Sequence, residues 1–347
     1  VAIGQGAGDH ATGSYNTFVG GKAGEGGTIS APYSSGQNNT AVGYQALKAF
    51  TTGNYNAAFG MEALRVATTG YSNTSLGTFS LYDLNTGAQN VSIGLSSGEN
   101  ITDGNNNVLV GYRAGYTGTS PDGAIGIGYR ALYNNTVDSS IAIGYDAGFA
   151  LTSGAGNIAI GYQALLTHTT GARNIAIGYA AMDDTNAGST SLGSIDNVFI
   201  GYDAGGGTWA DAASNYNIGI GNYTLDAAMN GALNNIAIGH NALTGLTSGD
   251  NNIAIGTQVM QSLTTGGSNV VIGYASGNNM SGAASQNVAI GHNAGYGIST
   301  GQANVILGNT GFSLGATSNT TLIGYTAGYA INATGANGTV AIGYKAG

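Results

Sequence analysis

A glycine that returns about every 17 residues is the feature that most constrains the fold of this chain. It occurs twenty times, and ten of the nineteen intervals between copies have 17 residues. Each copy follows an apolar-small-apolar triplet, usually with Asn before the triplet and Tyr after the glycine. A repeat of this length is too short for a helix-turn-helix unit or a propeller blade, which need over thirty and about forty residues. The glycines are at positions 4, 20, 43, 60, 77, 94, 111, 128, 144, 161, 178, 201, 221, 239, 256, 273, 291, 308, 324 and 343.

The triplet before each glycine predicts a short β-strand. Its period of two is typical of a strand, and Ile and Val, which favour strands, fill its outer positions. Turn signals such as Thr-Thr-Gly at 51–53 separate successive triplets. We therefore predict an all-β fold, a β-solenoid of about twenty 17-residue turns, each with two short strands joined by two bends. We expect one continuous domain over 1–347, with loop insertions near 25–37, 183–196 and 205–214, where the intervals lengthen.

The choice of residues within the triplet predicts which side faces inward. The position before the glycine is Ile, Val, Leu or Phe in all twenty copies, whereas the middle position is Ala, Ser or Gly in fourteen. Because a short coil encloses little volume, we expect the small residue inside and the aliphatic residues on an external stripe that a partner covers. The opposite assignment, with the aliphatic residues inside, would allow a monomer. The stripe is predicted to form a structural core through Ile143, Ile160, Ile177, Ile238, Ile255 and Ile290.

Asn precedes the triplet in fifteen of the nineteen copies that include this position. Stacked coils would align these side chains into a ladder whose amides bond one another or the turn backbone. The same frequency is equally consistent with Asn as a general turn former. On the polar side of the coil, Arg130 and Asp146 fall on neighbouring turns, and we expect them to form an ion pair.

Composition excludes several classes of function. Seven Lys and Arg against sixteen Asp and Glu give a net charge of −9, so the chain has too few cations for a nucleic-acid surface. It has no Cys, and no window approaches the roughly 18 apolar residues of a membrane span. Serine motifs at 94–98 and 311–315 lack the strand-to-helix setting of a nucleophile. His240 and His292 stand where other copies have Tyr, and we interpret them as aromatic substitutes. We therefore predict no enzyme activity, no cofactor, no metal and no membrane insertion.

Two stretches carry a resemblance to a known family, NTAVGYQAL at 39–47 and NIAIGYQAL at 157–165. They resemble the head repeats of trimeric autotransporter adhesins of the YadA type, and also the related repeats of phage tail fibres. The resemblance extends over nearly the whole chain and implies a left-handed parallel β-roll, three chains about one axis and a role in attachment. The repeat here is longer than the family's usual one and carries an added Tyr.

These features together predict a non-enzymatic, extracellular fibre or adhesin segment, at the cell surface or on a virion tail. Its expected partners are further copies of itself in a homotrimer and a host-surface protein or glycan, bound by many weak contacts along a stiff rod. The alternative is a purely structural filament subunit that assembles end to end through open strand edges. An ice-binding surface would need flat ranks of Thr on the strands, whereas Thr is concentrated in the turns.

Departures from the repeat predict where a receptor would bind. The interval that ends at Gly221 has 20 residues and contains the only tryptophan of the chain, Trp209. An exposed Trp in a glycine-rich loop would offer an aromatic anchor for a partner. The alternative is that Trp209 packs against its own coil. The possible receptor contacts are Trp209, Asp183, Asp184, Asp211 and Tyr33.

Overall fold

The computed structural model describes residues 1–27, 33–185, 191–329, 331 and 336–347. The chain divides into two compact units, Val1–Thr170 and Gly171–Gly347. Each unit is a parallel β-solenoid with ten short strands. None of the described residues lies in an α-helix, so no helix among them has the length and apolarity to cross a membrane.

Every strand has three residues except β1, which has two. The first unit contains β1 (Ala2–Ile3), β2 (Thr17–Val19), β3 (Thr40–Val42), β4 (Ala57–Phe59), β5 (Thr74–Leu76), β6 (Val91–Ile93), β7 (Val108–Val110), β8 (Ile125–Ile127), β9 (Ile141–Ile143) and β10 (Ile158–Ile160). The second unit contains β11 (Ile175–Ile177), a 3₁₀ turn (Ser191–Gly193), β12 (Val198–Ile200), β13 (Ile218–Ile220), β14 (Ile236–Ile238), β15 (Ile253–Ile255), β16 (Val270–Ile272), β17 (Val288–Ile290), β18 (Val305–Leu307), β19 (Thr321–Ile323) and β20 (Val340–Ile342).

Successive strands pair in parallel, with a register of one repeat. Ile158 lies opposite Ile141, and Ala159 lies opposite Ala142. Residues at the same position of the repeat lie opposite each other in neighbouring strands, from β1 to β10 in the first unit and from β11 to β20 in the second. This pairing confirms the predicted β-solenoid with coils of about 17 residues.

Each coil has one strand, so the prediction of two strands per coil is wrong for the described residues. The remainder of the coil turns through left-handed backbone positions, for example at Gln45, Leu47 and Tyr55, where φ is 56°, 51° and 59°. These residues interrupt any extended run and leave only the triplet as a strand. The turns are still bonded from coil to coil, as the N–H of Leu47 donates to the carbonyl of Ala63 at 2.9 Å.

The small middle residue of the triplet points into the coil. Ala58 is fully buried, whereas Phe59 beside it on β4 is 38% exposed. Ala46 and Leu47, from the turn that follows a strand, fill the rest of the interior in the preceding coil. The orientation with small residues inside is therefore confirmed, and the opposite assignment is wrong, because the coil is too narrow for aliphatic side chains from every strand slot.

Six triplets carry a large middle residue, and most are matched by a glycine six residues later. Leu109 is followed by Gly115, and Phe199 is followed by Gly205, at a slot where other coils place a buried Leu such as Leu47. A Cβ at Gly115 would lie 2.8 Å from Cδ1 of Leu109. The two slots therefore share one volume, and a large residue in one requires a small residue in the other.

The repeat glycine is required by both conformation and space. Gly60 has a φ of +137°, and a Cβ there would lie 2.5 Å from the carbonyl oxygen of Gly77 in the next coil. Real Cβ atoms do not approach backbone so closely, and L residues rarely adopt this φ. Stacking of one coil directly on the next thus explains why no other residue type occurs at this slot in twenty copies.

Candidate functional site

An aliphatic stripe runs along the outer face of the strands in each unit. It consists of the first and third residues of each triplet, most of which are Ile or Val and all of which are half-buried or exposed, while from β2 to β20 the residue between them is buried. Of the six predicted core residues, Ile143 and Ile290 are 37% and 40% exposed. The other four, Ile160, Ile177, Ile238 and Ile255, are half-buried in the single chain.

A ladder of Asn side chains, most of them buried, fixes the entry to most of the strands. The Asn90 amide nitrogen donates to Oδ1 of Asn73 at 3.0 Å and to the carbonyl of Gly104 at 2.8 Å. The backbone N–H of Asn90 donates to the same Asn73 oxygen at 3.0 Å. Of the two interpretations of this Asn, the structure favours the ladder, in which each amide bonds both its neighbour and the turn. The ladder thus holds the start of the strand, and with it the aliphatic stripe, through hydrogen bonds of neutral amide groups.

Aromatic side chains stack along the outside of the first unit. The ladder formed by Tyr112, Tyr129, Tyr145 and Tyr162 has ring centroids 5.2, 4.7 and 5.2 Å apart. A second ladder, formed by Tyr116, Tyr133 and Phe149, has centroids 5.1 and 5.0 Å apart. The first ladder occupies the slot after the repeat glycine and the second the slot five residues after it. These ladders are not among the features predicted from the sequence, although their constant offset from the glycine is a signal that indicates them.

The two histidines of the tyrosine slot behave as aromatic members of such ladders. His292 stacks on Tyr274 with centroids 5.3 Å apart, and His240 meets Tyr223 edge-on at 5.9 Å. The interpretation of His240 and His292 as aromatic substitutes is therefore confirmed. No group of three His, Asp or Glu side chains is placed to hold a metal ion in the part of the chain that the structure describes.

Two arginines lie between the aromatic ladders of the first unit. Arg130 donates to both carboxylate oxygens of Asp146, at 2.7 and 2.5 Å, which confirms the predicted ion pair. This hydrogen bonding raises the pKa of Arg130 above its ordinary value. The Arg113 guanidinium lies 5.2 Å from the Tyr112 ring and 4.8 Å from the Tyr116 ring. Arg113 makes no side-chain hydrogen bond or ion pair with the described residues, and its Nε is buried without a partner.

Trp209 is an interior residue, so the prediction of an exposed receptor contact there is wrong. Its side chain is fully buried and packs edge-on against Phe199, with ring centroids 5.8 Å apart. Its indole N–H donates to the carbonyl of Gly205 at 2.9 Å. The glycines around it leave room for the indole inside the coil, which is why the alternative, packing against its own coil, is the one observed.

The other predicted contacts are three aspartates of the second unit and Tyr33 of the first. Asp184 accepts hydrogen bonds near Trp209, from the backbone of Trp209 at 2.9 Å and from Oγ1 of Thr208 at 2.5 Å. Asp183 beside it is half-buried, and Asp211 is exposed. Tyr33 belongs to the first unit, is 45% exposed and stacks on His10 with centroids 6.2 Å apart. The predicted insertions near 25–37 and 183–196 include residues 28–32 and 186–190, which lie outside the described residues.

Asp183 belongs to an acidic group of the second unit. Burial, followed by the charges of Asp203 and Asp184, raises the pKa of Asp183 to about 7. Burial and the charge of Asp203 also raise the pKa of Asp226 to about 6. A carboxyl that holds its proton more tightly in the folded chain opposes folding once the pH allows it to ionise.

We therefore expect the second unit to lose stability as the pH rises from about 4 to about 7. Below the unfolded pKa of 3.8 Asp183 is protonated in both states, and above the folded pKa the full cost of its ionisation is present. Asp183→Asn should match the wild type at pH 4 and be more stable at pH 8, by roughly 2 kcal/mol after discounting a half-buried group. Thermal unfolding of both proteins at the two pH values measures this, with Asp211→Asn as the charge-matched control. A stabilisation of Asp183→Asn that is equal at both pH values would contradict the expectation.

The chain matches no protein-family model, no curated protein and no solved structure. Its function is therefore inferred from its fold and its surfaces.

Proposed function

We propose that this chain is a non-enzymatic segment of an extracellular fibre, in which three copies associate through their aliphatic stripes and mediate multivalent attachment. The observation that carries the proposal is the stripe itself. Leu76 and Ile93, for example, are 49% and 36% exposed and occupy the same slot of successive coils. Monomeric soluble proteins rarely expose a continuous apolar surface of this kind, and its cover by further copies would remove it from water.

The regular spacing of the stripe favours copies of the same chain as its cover. A stripe that repeats once per coil is complementary to an identical stripe, because both advance by the same rise. Each Ile or Val that becomes fully buried contributes on the order of 1 kcal/mol beyond its half-buried state. Summed over many coils, these contributions would outweigh the entropy lost on association. A closed, rotationally symmetric assembly would then present each outer surface in several copies, which strengthens weak attachment through avidity.

Assembly is tested with Ile143→Asp combined with Ile160→Asp, measured by sedimentation and light scattering. We expect three times the chain mass for the wild type and one chain mass for the double variant, because charges would enter a dry seam. Gln163→Asp is the matched control, since Asp146 and Asp203 occupy the equivalent slot. Circular dichroism establishes that the double variant is folded, and Ile143→Thr with Ile160→Thr is a milder second test. A folded wild type of one chain mass would reject the trimer, and open-ended polymers would favour the filament alternative.

Attachment is tested separately, with fluorescent beads that carry the wild type or the double variant. Beads with the wild type should be retained on at least one of a panel of bacterial and animal cells, and beads with the double variant should be retained less. If beads with the wild type are retained no better than beads with the double variant on every cell type of the panel, the attachment role is rejected and a purely structural role remains.

A further inference from the structure

The surface between the two aromatic ladders is unlike the rest of the described outer surface of the first unit. We call it the aromatic strip, and it spans the three coils that begin at Gly111, Gly128 and Gly144. Only these coils of the first unit carry an aromatic residue in both the slot after the glycine and the slot five residues after it. The aromatic strip is formed by Tyr112, Tyr129 and Tyr145 on one side and Tyr116, Tyr133 and Phe149 on the other.

The outer edges of these rings, and not their faces, are open to a ligand. Because each ring stacks on the next, at angles of 8° to 23°, the faces are largely covered by neighbouring rings. Tyr129 and Tyr145 are still 40% and 43% exposed. The edge of an aromatic ring carries partial positive charge, and the phenol hydroxyl both donates and accepts hydrogen bonds. The aromatic strip therefore favours a ligand that is rich in oxygen atoms.

Arg113 adds one unneutralised cation to this surface. Its terminal guanidinium nitrogens make no hydrogen bond to described residues and, unlike Nε, are not enclosed, so they face solvent. In the next coil the same slot holds Arg130, whose guanidinium donates hydrogen bonds to both carboxylate oxygens of Asp146. Asp146 occupies the same slot one coil after Arg130, whereas the residue one coil after Arg113 is Arg130 itself, so Arg113 has no carboxylate partner in that position. In a protein of net charge −9 an unpaired arginine between aromatic rings is a local anion-binding feature.

We infer that the aromatic strip, with Arg113 as its anchor, binds an acidic glycan whose carboxylate or sulfate group pairs with Arg113. This inference rests on the proposed attachment function and names its ligand class. Sugar hydroxyls would bond the row of tyrosine hydroxyls over Tyr129 and Tyr145.

The spacing of the rings favours a glycan over an acidic peptide. Successive rings are 4.7 to 5.2 Å apart in the first ladder. One pyranose ring in an extended glycan advances by a similar length, so successive sugars would meet equivalent hydroxyls. An extended peptide advances by about 3.3 Å per residue, and its side chains alternate in direction, so its groups fall out of step with the coils.

Binding is tested with immobilised polygalacturonate, dextran sulfate, unmodified dextran and poly-L-glutamate, at low and physiological salt. We expect the wild type to bind at least one of the two acidic glycans, with affinity that falls as salt rises, and not to bind dextran. Arg113→Gln should lower this affinity about tenfold or more, because a charge-assisted hydrogen-bond pair is lost. Gln occupies the same slot at Gln45 and Gln163, so the substitution preserves the local backbone. Tyr129→Phe with Tyr145→Phe should weaken binding further and leave the ring stacking in place.

Arg65→Gln and Tyr44→Phe are the matched controls, because both lie in the first unit outside the aromatic strip, and neither should change binding. Equal losses for Arg113→Gln and Arg65→Gln would show non-specific charge attraction and overturn the inference. Unchanged binding by folded Arg113→Gln, equal binding to dextran, or a preference for poly-L-glutamate that depends on Arg113 would also overturn it. A one-chain wild type that binds the acidic glycans through Arg113 rejects the trimer and supports the inference. A wild-type trimer that binds none of these polymers rejects the inference alone.

Discussion

Gly60→Ala is expected to lower the free energy of unfolding of the first unit by about 3 to 5 kcal/mol. The new methyl group would lie 2.5 Å from the carbonyl oxygen of Gly77 and 2.6 Å from its carbonyl carbon. Both are backbone atoms of the next coil, so the clash cannot be relieved by a rotamer change. A φ of +137° adds conformational strain for any L side chain. The estimate combines this strain with the cost of overpacking a close contact.

Gly123→Ala is the matched control for this prediction. It also has a positive φ, +67°, but the nearest atom to a new Cβ is Oγ of Ser139 at 3.7 Å. Neighbouring coils already place Asn106 and Ser139 in this slot at φ of 58° and 56°. We expect a loss of about 1 kcal/mol, the cost of a left-handed Ala without a clash. Urea unfolding followed by circular dichroism measures both variants, and similar losses for Gly60→Ala and Gly123→Ala would refute close stacking at the repeat glycine.

Trp209→Ala is expected to destabilise the second unit by about 3 to 5 kcal/mol. The substitution would empty the space of the largest fully buried side chain among the described residues and remove its contact with Phe199. It would also leave the carbonyl of Gly205 without the indole N–H that it accepts. Trp209→Phe keeps much of the packing but not this hydrogen bond, so we expect an intermediate loss.

Fluorescence tests the position of Trp209 directly, because the chain has a single tryptophan. The folded protein should emit at the short wavelengths typical of a buried indole, and the emission should shift to longer wavelengths on unfolding. Asp211→Ala, an exposed change two residues away, is the control and should alter stability by less than about 0.5 kcal/mol. Emission of the folded wild type at the wavelength of a solvated indole would show that Trp209 is exposed after all.

The repeat carried most of the information about the fold. The spacing of glycines such as Gly60 and Gly77 predicted the number of coils, and the triplets predicted the strands at the positions observed. The alternation of large and small residues predicted the inward side of each strand, because a short coil admits only small side chains from that slot. The pairing of Arg130 with Asp146 also followed from the period, since residues one repeat apart become neighbours when coils stack.

The number of strands in a coil was not predictable in the same way. Residues such as Gln45 and Leu47 carry no local signal for a left-handed backbone, and they adopt it because the coil has to close on itself. The compensation of Leu109 by Gly115 was not predictable for a related reason. It joins two slots that are separate in sequence and share a volume only once the coil has formed.

The sequence by itself determined the period, the positions of the strands and the inward side of each strand. The strands and their inward side depend on the local alternation of large and small residues, and the period is marked by a glycine that the tight contact between coils requires. Tertiary structure decided how the residues that depart from the repeat are buried and which groups they contact. Trp209 is buried because the glycines of its own coil leave a cavity beside Phe199, and no pattern along the chain indicates the depth of that cavity. The fold also decided the setting of Arg113, whose guanidinium lies 5.2 and 4.8 Å from the rings of Tyr112 and Tyr116. Burial and pairing of this kind depend on distances between coils, which exist only in the folded chain.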